Sequence, residues 1–584
     1  MSLAGLLAAV AEDPQLSEVL ASYPASRTEQ GPDGGVPDLV APPALRPLLV
    51  AALATGAAGG HGPGRFVLAV TATAREADDL TAALGAFLPP DTVACFPGWE
   101  TLPHERLSPR SDTVGQRIAV LRRLSHPNGK DGDSEIAGPL KVVVAPVRSV
   151  LQPIVAGLGD LDPVRLREGD EADPDDVIAR LVDIGYARVE MVTKRGELAV
   201  RGGLLDVFPP TEEHPLRIEF FGDTVEEIRV FKVADQRSSG RSPHGLWAPP
   251  CRELLLTPSV RARAKELAEK HPSTSEILGK IADGIAVEGM EAFASVLADR
   301  MELLLDHVPL GGIVLACDPE RIRTRAMELV ATSQEFLEAS WVNAAAGGEA
   351  PVDLGGAAFQ PISRIREAAA ELGVPWWTLA PFGLAEDSEE PSDQPSQPGT
   401  FGTIIKAAPA PAYRGDTARM LADVRGWLAG GWRVVLVTEG HGPAQRLAEV
   451  LRGEGFGARL GDIAAVPEGG VPYVSTGQLQ QGFTWPAVKL ALLTEADLAA
   501  RGAARPGMRD ERRMPSARRR GGVDPLQLKP GDYVVHEQHG IGRFLEMTSR
   551  TAAGATREYL VLEYAPAKRG HPPDRLYVPT DQLD

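Results

Sequence analysis

Residues 194–231 read KRGELAVRGGLLDVFPPTEEHPLRIEFFGDTVEEIRVF, and this stretch constrains the chain more than any other. It spells a β-sheet whose exposed face carries ordered charge. In the run Arg217-Ile218-Glu219-Phe220-Phe221, strand periodicity puts Ile218 and Phe220 on one face and Arg217, Glu219 and Phe221 on the other. Gly222-Asp223 supplies a two-residue hairpin turn, with Gly where φ must turn positive. Arg201 and Phe208 are expected on the neighbouring strand. The stretch holds no nucleophile, no general-base pair and no metal set. A face mixing Arg, Glu and Phe suits protein docking better than catalysis, while an ordinary solvated face fits the pattern about equally well.

Bulk properties set the frame. A length of 584 residues suggests about four domains. Three cysteines, Cys95, Cys251 and Cys317, lack paired spacing, which argues for a reducing compartment and against a disulfide framework or a zinc site. The chain opens without a signal-like segment, and no apolar run approaches the roughly 20 residues a membrane span needs. The expectation is a soluble cytoplasmic protein, a monomer with no membrane partner. A net charge of −19 opposes broad phosphate binding, so nucleic acid would have to meet a local patch. The Arg-rich run at 501–520, RGAARPGMRDERRMPSARRR, is broken by Pro and Gly and reads as a solvated linker.

Four stretches combine Gly, Pro, Ser and charge without an apolar period: 126–139, 234–250, 385–400 and 501–524. Between them, FVLAVT (66–71) and KVVVA (141–145) read as buried strands. A helix through Leu80 and Leu84 follows the first, and Val114, Ile118 and Leu121 recur at helical spacing. IVLAC (313–317) repeats the theme, with Asp318 as N-cap and Pro319 at the first helical position. The fold class is therefore α/β and multidomain, with a parallel sheet. The division expected is an α/β domain in two parts, 1–160 and 251–385, interrupted by a docking module at 161–250. A further α/β domain occupies 401–500, a basic linker 501–524 and a compact β domain 525–584. In the last, strands are expected around 533–535, 542–547, 558–564 and 576–578, with Glu558–Tyr564 able to offer its backbone to a partner.

An α/β domain invites a search for a nucleotide site. No G-x-x-x-x-G-K-[ST] loop exists in the chain. In FPGWETLPHERLSP (96–109), Trp99, His104 and Glu105 are read as packing and loop-ordering residues, because no partner base or metal set accompanies them. His536-Glu537-Gln538-His539 has i, i+3 histidine spacing between strand-like residues and reads as a turn, not a zinc motif.

The block RGELAVRGGLLDVFPPTEEHPLRIEFFGD resembles the UvrA-binding module shared by UvrB and the transcription-repair coupling factors. That resemblance implies UvrA contacts at Arg201, Arg217 and Glu219, with Arg188 and Phe208 as weaker carry-overs. Ala199 stands where the UvrB pattern has an Arg. The place where a UvrB-like protein would carry its P-loop is Asp38–Ala52, DLVAPPALRPLLVAA. There Pro42, Pro43 and Ala44 replace the flexible loop, Arg46 sits near the Lys position and Pro47 near the Mg²⁺-binding hydroxyl. Proline has no N–H to give a phosphate, so no nucleotide is expected there.

Residues 528–579, with LKPGDYVVHEQHGIGRFLEM, REYLVLEYA and LYVP, resemble the Tudor-like RNA polymerase interaction domain of CarD-type regulators and coupling factors. The resemblance implies a small β-barrel and contacts to the polymerase β subunit at Arg550 and Tyr577, the second being Arg in CarD proteins. Taken together, the chain is similar to the N-terminal half of a transcription-repair coupling factor, in an Ala- and Arg-rich, actinobacterial wording. The family's ATP- and Mg²⁺-dependent motor, which grips double-stranded DNA, is expected beyond Asp584, and this half alone is expected to hydrolyse nothing and to carry no cofactor. A UvrB-type helicase would need an intact P-loop, and a purely CarD-like regulator would have no use for the module at 194–231.

Overall fold

The computed structural model describes residues 2–17, 38–56, 64–103, 107–129, 138–270, 274–345, 358–381, 403–498, 528–536, 540–552, 555–564 and 574–579. Residues 1–504 form one compact unit and 505–584 a second. The first is built on a seven-stranded parallel sheet in the order Thr403–Ile404, Asp38–Val40, Trp376–Ala380, Ile313–Cys317, Val67–Thr71, Val142–Pro146, Val93–Cys95. Strands from both sides of the inserted segment are thus neighbours, with Ile313 in register with Val67.

The apolar strand runs follow from burial on both faces. Val67, Ala69, Ile313 and Leu315 turn to one core with helix Arg46–Thr55, whereas Leu68, Val70, Val314 and Ala316 turn to another with helices Ser111–Ser125 and Ile362–Leu372.

A second sheet runs Ala408–Pro409, Phe483–Trp485, Leu490–Thr494, Arg433–Thr438, Pro472–Thr476, Arg459–Leu460. Its last four strands are parallel. One face is covered by helices Thr417–Ala429 and His441–Gly453. Its other face, through Val435, Val437, Leu490 and Leu492, enters the same core as Leu48 and Leu315 of the first sheet. The N-terminal residues Leu3, Leu6 and Val10 fill that shared core, and buried Asp13 accepts a 3.0 Å hydrogen bond from Trp485 Nε1. Thr403 and Ile404 extend the first sheet, so the second α/β unit begins after them.

The inserted segment holds a six-stranded sheet: Ser238–Arg241, Thr224–Phe231, Leu216–Phe221, Leu204–Val207, Glu197–Arg201, Ala187–Arg188. Helix Pro174–Asp183 buries Val177, Ile178 and Leu181 against one face of it. The module is held to the body by helix Ser111–Ser125. Gly115 lies so close to Pro210 that a Cβ there would come within 2.4 Å of its ring. Nearby, Arg117 is fully buried and pairs with buried Glu253 at 2.5 and 3.3 Å, over the rings of Phe96 and Trp99. Trp99 Nε1 donates to the same carboxylate at 3.0 Å. Trp99 is thus a packing residue, while His104 and Glu105 lie outside the described residues.

Helices Pro258–Lys270, Ser275–Ala282 and Ala294–Leu297 form a separate cluster. Leu254, Val260, Leu278, Ile281, Met290, Phe293 and Leu297 make its core. The α/β reading of 251–385 did not include it.

The second unit is a four-stranded antiparallel meander, Tyr533–His536, Gly540–Ala552, Ala555–Tyr564, Asp574–Pro579, around Phe544, Leu560 and Leu562. The expectation that 558–564 offers an open edge is corrected here. That strand pairs with 540–552 on one side and 574–579 on the other, so its backbone is taken. Among the described residues no helix is long and apolar enough to cross a membrane.

Candidate docking surfaces

The six-stranded sheet has two unlike faces because alternate residues point oppositely. Leu198, Val207, Leu216, Ile218 and Ile228 turn into the module core. The other face aligns Ala199, Asp206, Arg217, Arg229 and Arg241 across five strands, and Arg201, Leu204, Glu219 and Glu227 in the next row. Gly222 has φ of +62°, and the two-residue turn Gly222-Asp223 joins the paired Phe221 and Thr224. Phe220 packs inward and Phe221, 79% exposed, stands out at the tip.

The implied contact residues occupy different environments. Arg201 is exposed and donates to the Glu190 carbonyl at 2.9 Å. Arg188 is exposed on the short strand at the sheet's edge. Glu219 is half-buried, between Leu204 and Glu227. Arg217 is held on both nitrogens by Asp206, at 2.7 and 2.8 Å, over the ring of Phe231. The hydrogen bonds it donates to Asp206 push its pKa above the usual arginine value. Phe208 is buried with Val192, Ala199 and Phe231 in a small core on this face, beneath the Arg195 guanidinium. Arg201 and Phe208 also lie on opposite sides of the turn at Gly202-Gly203, not on one strand.

Sequence reasoning missed Arg229 and Arg241. Both reach the Glu227 carboxylate, Arg241 at 3.0 Å. The signal was present in EEIRVF, where alternation puts Glu227 and Arg229 beside Glu219 and Arg217, but the strand ending in Arg241 has too little pattern to be seen.

In the smaller unit, Arg550 pairs with Arg557 across the hairpin and Tyr577 with Val561 on the last strand. The side chains of both lie outside the described residues.

Comparison with known proteins matches these two surfaces. A model of the UvrB interaction domain matches residues 164–246, and one of the CarD-like/TRCF RID domain matches 528–584. A transcription-repair-coupling factor of Mycobacterium tuberculosis is 48% identical over 593 aligned residues, covering 97% of this chain and 46% of that protein. Those of Bacillus subtilis and Escherichia coli are each 26% identical, over 89% and 83% of this chain. The chain is thus similar to transcription-repair-coupling factors over nearly its whole length. It spans less than half the length of these relatives.

In this chain, Asp38–Val40 leads through extended Pro42 into a turn at Pro43–Leu45 and then helix Arg46–Thr55. The Leu45 N–H already bonds the Pro42 carbonyl, and Pro42, Pro43 and Pro47 have none to offer. Among the described residues no cluster of His, Cys, Asp or Glu is arranged to hold a metal ion, and Glu537–His539 are outside them. All three cysteines are free thiols, and burial pushes the Cys95 pKa up to about 12.

Proposed function

We propose that this chain is the recognition part of a transcription-repair coupling factor. It docks UvrA through the charged face of 164–246 and the RNA polymerase β subunit through 528–584. The presence of both matched domains in one chain carries the reading. A protein that holds a stalled polymerase with one surface and the excision-repair machinery with the other links the two by effective concentration, without chemistry of its own. In the complete protein, an ATP- and Mg²⁺-dependent translocase on double-stranded DNA would displace the polymerase at a lesion. We read the Pro-blocked loop at 42–47 as a degenerate P-loop and the meander at 528–579 as a Tudor-like barrel. Arg201, exposed on the face and clear of the core, is the test position. Arg201→Glu should weaken UvrA binding by about 2 kcal/mol or more while leaving the melting temperature unchanged. A pull-down in which this variant holds UvrA as well as the parent rejects the assignment.

A further inference from the structure

We infer that Arg229 and Arg241 are a second contact row on the same face, reading carboxylates on UvrA; the inference rests on the UvrA reading above. The strand register sets Arg217, Arg229 and Arg241 side by side on three adjacent strands. Their side-chain exposure rises outward along this line, from 20% to 46% to 71%. The inner end is closed, because Asp206 occupies the Arg217 fork. The outer end is open. One carboxylate, that of Glu227, serves both remaining guanidiniums, and Arg241 also reaches Glu168, at 3.6 Å. Hydrogen bonding by Arg229, then by Arg241, holds the Glu227 carboxyl below its usual range, so it stays charged and fixes both forks.

A guanidinium carries five donors in a planar fork suited to a carboxylate. Two forks sharing Glu227, with Glu168 near the outer one, are balanced in charge, yet the exposure of Arg229 and Arg241 leaves donors open to a further carboxylate. On a chain of net charge −19 this row is an exposed concentration of guanidiniums. It selects an acidic partner surface, and it continues the face that carries Arg201 and Glu219. Phe221, exposed at the tip of the adjoining hairpin, gives that partner an apolar anchor. The competing role for Arg241 is edge protection, since Ser238–Arg241 is an exposed edge strand and charge there blocks sheet-to-sheet association.

The test is equilibrium binding of the whole chain to UvrA at low and moderate salt. It compares wild type, Arg201→Glu, and the double variant Arg229→Gln/Arg241→Gln, each with its melting temperature. The double variant should bind at least tenfold more weakly at low salt and lose much of the salt dependence, with unchanged melting. If it binds like wild type at both salts while Arg201→Glu fails, the second row protects an edge only and this inference falls, with the UvrA reading intact. If wild type itself does not bind, the UvrA reading falls and takes this inference with it. Should the double variant melt early, Arg241→Lys decides. It keeps the charge but loses the fork, so weakened binding supports the inference and full binding overturns it.

Discussion

Arg217 and Asp206 face each other across adjacent strands as a bidentate pair, with the carboxylate 4% exposed. Removing the guanidinium leaves a buried carboxylate without its partner, which costs about 3–5 kcal/mol. Removing Asp206 instead leaves an arginine near enough to water to turn outward, and should cost less. Arg217→Ala is therefore expected to lower the melting temperature more than Asp206→Ala. Replacing both, as Arg217→Met/Asp206→Leu, should restore most of the loss. UvrA binding by that double variant separates the roles: retained affinity makes Arg217 a positioning residue for the face, and lost affinity makes it a contact.

A second buried polar group ties the helical cluster to the body. The Glu291 carboxylate, 2% exposed, accepts from Ser108 Oγ at 2.6 Å and from Arg252 at 2.9 Å. Burial raises its pKa, and the partners offset this only in part. A raised carboxyl pKa means the folded state keeps a proton that the unfolded chain has already released. Stability contributed by this group is thus present at low pH and is lost as pH rises through the folded-state value. Melting measured from about pH 4, the ordinary range for Glu, to neutrality should fall more for wild type than for Glu291→Gln. Parallel curves would remove Glu291 from the pH response.

The prolines at 42, 43 and 47 give a third expectation. The highly purified chain should neither bind nor hydrolyse ATP, with or without DNA, because the turn entering helix Arg46–Thr55 lacks the donors a phosphate needs. DNA-stimulated hydrolysis that survives mutation of Arg46 would contradict it.

What was legible in the sequence followed from burial. VLAVT, VVVA and IVLAC are apolar on both faces, and parallel strands between two helical layers must be so. Alternation in RIEFF likewise gave the inner and outer faces of the docking sheet. Alternation does not say what else covers the outer face. Phe208 sits on the charged side, yet the segments carrying Val192 and Val233 close over it. Nor does alternation count neighbours, so EYLVLEY reads the same as an edge or an inner strand. The helical cluster was hidden because PSVRARAKELAEK buries only Val260 and Ala264, too narrow a stripe to mark a core. That Leu3, Leu48 and Val435 meet in one core is a long-range fact, absent from any local window.

The corrected topology sharpens the expectation for polymerase. Because 558–564 is an inner strand, any β-subunit strand that adds to this sheet must use another edge. Among the described residues, Tyr533–His536 covers only 540–543 of the long second strand, leaving 546–552 without a strand beyond it. Asp574–Pro579 is the other outer edge. Arg550 lies on the first of these and Tyr577 on the second. The stretch at 546–552 is the longer, and it carries Arg550 in its sequence. Arg550→Glu in the whole chain is therefore expected to weaken binding of a β-subunit fragment by about 2 kcal/mol or more, with melting unchanged. Tyr577→Ala should have the smaller effect. The reverse order would place the docking strand at 574–579. Equal affinity for wild type and both variants would mean that polymerase is recognised elsewhere, and the transcription side of the proposal would lose its residue-level support.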